Sequence, residues 1–166
     1  MNTSKIIFAI FTVAIIIQSF HFVEHLAQFN QHFFQGLSIV ESNGLIDSLN
    51  VEWVHWVYNL SYFGLLLFLF QKLKVRKLQD KTNGHKVFAL VFGLSVILQG
   101  YHLLEHSVRM IQWTTTDCIS CSGITGSFVD GIALHFIINF LVFVYPLAFY
   151  IKLAISKNEK REVVLN

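Results

Sequence analysis

His21-Phe22-Val23-Glu24-His25 lies inside a long apolar run, and His102-Leu103-Leu104-Glu105-His106 lies inside another, 81 residues later. Ionisable side chains at membrane depth are expensive unless they meet one another, a ligand or water. A chain that carries the pattern twice must bring both copies into a shared interior. This excludes folds in which either segment stands alone in lipid, and it points to a bundle.

The apolar runs set the architecture. The chain is 54% hydrophobic, with 17 Phe and one Pro. A run of about 20 apolar residues crosses a bilayer as a helix. Four such runs are read, from about Ile6 to Gln28, Val51 to Gln71, Val87 to Val108 and Val129 to Ile155. The expected fold is all-α: a polytopic membrane protein built as a single four-helix bundle, with residues 156–166 as a solvated cytoplasmic tail. The first run is too long for a signal peptide and has no small-residue cleavage site, so it is expected to stay in the protein.

Lys72, Lys74, Arg76, Lys77, Lys81 and Lys86 cluster between the second and third runs, and Lys152, Lys157, Lys160 and Arg161 follow the fourth. The connection between the first two runs has no Lys or Arg. The distribution of basic residues predicts cytoplasmic termini and an outer face that carries the other two loops, as in a bacterial inner membrane. The basic residues form no separate domain, so nucleic acid is not an expected partner. Membrane lipid is.

The chain reads as a duplicated hairpin. Gln18, His21, Glu24 and His25 match Gln99, His102, Glu105 and His106 at an offset of 81, and His55 and Asn59 match His135 and Asn139 at an offset of 80. Repeat 1 covers about 6–71 and repeat 2 about 87–155, related by a pseudo-two-fold axis along the membrane normal. Glu52 has no equivalent at Ile132, although Asp130 lies nearby.

By helical rise, His21, His25, His55, His102, His106 and His135 fall in one layer near the outer face, with Glu24 and Glu105 beside them. Imidazole and carboxylate suit iron, zinc, manganese or copper. The expectation is a pair of ions held by these eight residues, in two halves of three His and one Glu each. Gln18, Gln99, Glu52, Asn59, Tyr62, Asp130 and Asn139 are placed around the ligands to orient them. Iron is the first choice of metal, with copper or zinc as alternatives. Glu24 and Glu105 are expected to bridge the ions or relay protons. Paired ions held by Glu and His in a four-helix core are the pattern of di-iron bundles.

The expected function is a membrane oxidoreductase acting on a lipophilic substrate or a quinone. The alternatives are a haem b electron-transfer subunit with two axial histidines, a zinc-dependent hydrolase, and a metal-binding or storage protein. One turn between two histidines of one helix face rules out that pair as the two axial ligands of one haem. Cys118 and Cys121, the only cysteines, are expected to form a disulfide on an oxidising outer side. Trp53, Trp56 and Trp113 read as interface anchors, His32 and His85 as solvated or interfacial residues, and Ser48 or Asn50 as the cap of the second helix.

Overall fold

The structure is a computed structural model that describes residues 3–46, 52–77, 83–118 and 121–165. It is all-helical: α1 (Thr3–Phe33), α2 (Glu52–Lys77), α3 (Asn83–Thr116), a 3-10 turn (Thr125–Ser127) and α4 (Gly131–Leu165). Three helices among the described residues are long and apolar enough to cross a membrane, over Lys5–Phe33, Glu52–Leu73 and Gly131–Ile155. The fourth expected span lies within α3. That span, about Val87 to Val108, makes up the middle of the helix, and its second half carries Gln99, His102, Glu105 and His106.

The helices form a ring. α1 packs on α4 and α2 on α3 most extensively, α3 also meets α4, and α1 touches α2 only slightly. One half of the interior is apolar. Phe11, Leu66, Leu69, Phe92 and Val142 are fully buried there, with Ile7, Leu73 and Phe149 beside them. The outward surface is apolar too, with Ile16, Phe20, Val23, Ile97, Leu104 and Ile137 all exposed. An apolar exterior around a partly polar interior is the inverse of a water-soluble bundle and fits lipid surroundings.

The helix ends explain where the chain turns. Asp130 caps α4 by accepting the Ala133 amide at 2.9 Å, as short acidic side chains do at helix starts. Past α3, Asp117 takes φ 52° and its amide bonds the Trp113 carbonyl at 3.2 Å. This is the left-handed stop common at helix C-termini. Ser48 and Asn50, read as caps for α2, lie outside the described residues. Pro146 sits inside α4 and removes one amide donor from that helix.

Two expectations are corrected here. α1 runs five residues beyond Gln28, to Phe33, so His32 is helical and not in a loop. It is half-buried at the outer end of the helix, which leaves the interfacial reading standing, and it is not free in solvent: its Nε2 lies 3.0 Å from Asp130 Oδ2 and its Nδ1 2.7 Å from the Leu37 carbonyl. The extra helical turn carries the ring to the start of α4, where it ties two helices together. The His85 side chain lies outside the described residues.

Candidate metal centre

The six histidines form one contiguous cluster of two triads. His21, His25 and His55 offer nitrogens within 4.8 Å of one another, and so do His102, His106 and His135. One triad spans α1 and α2, the other α3 and α4. The i, i+4 spacing stacks two imidazoles on one helix face, and the third comes from the neighbouring helix. Between the halves, the His55 and His106 rings lie 5.5 Å apart, and those of His25 and His135 6.0 Å apart.

His21 Nε2 faces His25 Nε2 at 3.2 Å. Two nitrogens on one ion at ~2.1 Å, at or somewhat above a right angle, sit about 3.0–3.4 Å apart. Three buried ring nitrogens, His55 Nδ1, His102 Nδ1 and His106 Nε2, have no hydrogen-bond partner within the protein. Buried polar atoms are normally satisfied, so three orphans in one cluster fit a set of metal donors.

Matching contacts hold the two halves. The Asn59 side chain donates to the His55 carbonyl at 2.8 Å, and Asn139 donates to the His135 carbonyl at 2.9 Å. Gln99 donates to Asn59 Oδ1 at 2.9 Å, and Gln18 to Asn139 Oδ1 at 3.3 Å. The expected outer residues Gln18, Gln99, Asn59 and Asn139 are therefore brought together beneath the triads, linking α1 to α4 and α2 to α3.

Glu52 also meets the cluster. Its Oε1 lies 2.6 Å from His106 Nδ1, which leaves His106 Nε2 facing inward. A carboxylate behind a histidine sets the tautomer and raises ligand basicity. His135 Nδ1 is oriented likewise, by the Gly131 carbonyl at 2.6 Å. Asp130 bonds His32, not a triad member. Tyr62 is buried and its hydroxyl reaches no partner. Tyr58 takes the place expected of Tyr62: its ring stacks on His21 at 4.0 Å and its hydroxyl donates to Gln18 Oε1 at 2.7 Å.

Glu24 and Glu105 are not among the triad donors. Each turns away to grip a loop. Glu105 Oε1 accepts the amides of Ile124 at 3.0 Å and Thr125 at 3.1 Å. Glu24 Oε1 accepts those of Leu45 at 3.0 Å and Ile46 at 3.2 Å. Gly44 and Gly123 complete the clamps, with φ of 79° and 70°. A Cβ on either would collide with the Glu carboxylate beside it. Gln31 exchanges two bonds of 2.8 Å with the Gly44 backbone, and Gln112 exchanges bonds of 2.9 and 3.3 Å with Gly123. Backbone amides are strong donors to a carboxylate, and the loops supply two per glutamate. The physical reason for the difference is direction. At i+3 from the first histidine the glutamate shares the general face, but its side chain leans toward the loop.

Sequence reasoning missed Tyr58, Arg109 and both glutamine clamps. The clamps had a signal: Gln31 and Gln112 are 81 residues apart, the offset of the histidine motif. Arg109 Nε pairs with Glu52 Oε2 at 3.2 Å and its Nη1 donates to His135 Nε2 at 3.2 Å, so an ion taken by His135 would have to displace the guanidinium from that nitrogen. Only the meeting of α2, α3 and α4 reveals this.

A cavity of about 470 Å³ leads to the cluster from the loop side. His25, His55, His106 and His135 line it, with Glu52 and Arg109 at its wall and residues of both loops at its rim. Cys118 and Cys121 form a disulfide there, with Cα atoms 5.4 Å apart. Comparison with protein-family models, curated proteins and solved structures finds no match for this chain.

Proposed function

We propose that this is an integral membrane oxidoreductase with a paired metal site, each ion held by three histidines. The observation that carries the reading is the pair of triads at matching places on α1/α2 and α3/α4. The donors are all imidazole: Glu24 and Glu105 are engaged by loop amides, and Glu52 by His106 and Arg109. Copper therefore becomes the first choice, since imidazole suits it and it binds nitrogen sites most strongly among the divalent first-row ions. Iron and zinc follow. The matching Asn, Gln, Glu and Gly contacts support a duplicated hairpin.

Two adjacent ions, each held by three histidines, would keep coordination positions free for a substrate. Together they handle two electrons, the count needed to interconvert a quinone and a quinol. The cavity volume suits a small molecule. Phe34, Leu45 and Phe128 are exposed on the loops that form its rim, which fits a mouth at the lipid interface and a lipophilic acceptor. The basic residues at the opposite ends of α2 and α4 favour the site on the outer face. The close packing of the histidine rings, at 4.6–6.0 Å between neighbours such as His21 and His25 or His25 and His135, supports small ions as the ligands of this cluster.

Elemental analysis of the purified full-length chain in mild detergent tests this. Two copper ions per chain are expected, falling to one in either His25→Ala or His106→Ala. No bound metal after reconstitution, or a haem absorption band, refutes the proposal.

A further inference from the structure

We infer that the Cys118–Cys121 disulfide is the port through which a dithiol donor delivers two electrons to the paired site. This rests on the metal-site reading above.

The two outer loops match in their clamps. Gly44 with Glu24 and Gln31 corresponds to Gly123 with Glu105 and Gln112. Counting back from each glycine, Ile39 and Ser42 stand where the second loop has Cys118 and Cys121. All four residues line the cavity. The first loop keeps its turn by hydrogen bonds: the Glu24 and Gln31 clamp, Glu41 accepting from the Ser38 amide at 3.0 Å and hydroxyl at 2.6 Å, and the Ser42 hydroxyl donating to the Ser38 carbonyl at 2.8 Å. A crosslink is thus not required to shape such a loop. The second loop has one nonetheless, on the wall of the cavity whose floor holds four metal-site histidines.

The spacing is that of a Cys-x-x-Cys pair, whose thiolates are commonly stabilised and exchange readily. Cys118 is half-buried and Cys121 buried. An incoming thiolate therefore reaches the Cys118 sulfur first. Attack there breaks the Cys118–Cys121 bond, forms a mixed disulfide and releases the Cys121 thiolate at the cavity. The donor's second thiol then closes its own disulfide and frees Cys118. In the next step the two cysteine thiols lose two electrons and two protons and rejoin, and each of two oxidised ions takes one electron. The net reaction is one dithiol and two Cu(II) giving one disulfide, two Cu(I) and two protons.

The test loads the full-length protein with Cu(II), removes the excess and counts copper by elemental analysis. Anaerobic mixing with dithiothreitol follows, with loss of the Cu(II) absorption recorded in time. The comparison protein carries Cys118→Ile and Cys121→Ser, the residues the first loop already uses. With copper content equal, bleaching is expected to be at least about tenfold slower in the variant, because direct reduction bypasses the exchange step. Single Cys118→Ser, which leaves Cys121 unable to re-form the bond, is expected to be equally slow. Equal rates in all three proteins overturn the inference and leave the metal site standing. Failure of the wild-type chain to retain copper overturns both.

Discussion

Removing the Glu105 carboxylate separates a loop clamp from a metal ligand. Glu105 is fully buried. Glu105→Ala strips the acceptor from the Ile124 and Thr125 amides and leaves both facing an apolar methyl. A buried donor left unpaired costs about 1–3 kcal/mol, so the pair amounts to roughly 2–6 kcal/mol. Glu24→Ala removes the equivalent acceptor from Leu45 and Ile46, but those bonds are exposed. Water replaces the carboxylate there, and the cost is expected to be about 1 kcal/mol or less. For a chain of this size, roughly 2–6 kcal/mol lowers the melting temperature by roughly 4–24 °C. Thermal unfolding in detergent, with metal content measured on the same samples, provides the assay. Glu105→Ala should melt well below Glu24→Ala, and both should keep two ions. If Glu105→Gln loses an ion while its melting temperature stays put, the glutamate is a ligand and the clamp reading is wrong.

Glu52→Gln should weaken binding at the His102, His106 and His135 triad by about 10–100-fold, the usual cost of losing the group behind a ligating histidine, and leave the other triad unchanged. A metal titration resolving two sites measures this; equal weakening at both sites would contradict it. Gly123→Ala places a methyl group against the Glu105 carboxylate in a left-handed backbone. It is expected to cost at least about 1–2 kcal/mol from the backbone alone, read as a lowered melting temperature. A variant as stable as wild type would show that the loop relaxes freely.

Much of the layout was legible because the same residue types recur at nearly one offset. The histidine spacing alone placed four imidazoles on two helix faces, and the shared layer placed His55 and His135 with them. Gln18, Gln99, Asn59 and Asn139 followed from the same offset. Spacing could not decide the direction of a side chain near a helix end. Glu24 and Glu105 carry the right chemistry for a metal, but loop amides from residues about 20 positions later compete for them. Local periodicity cannot register that competition. The same holds for His32, whose partner Asp130 lies 98 residues away.

The sequence by itself determined four long helices, a polar layer within apolar surroundings and the pairing of histidines at one turn, because these depend only on helical period and hydropathy. The tertiary structure alone decided which carboxylates face the cluster and which hold loops. It also decided that Arg109 joins Glu52 to His135, and that the disulfide lines the histidine cavity. Those outcomes depend on which helix ends and loops converge in space, and convergence is a property of packing that no local pattern encodes.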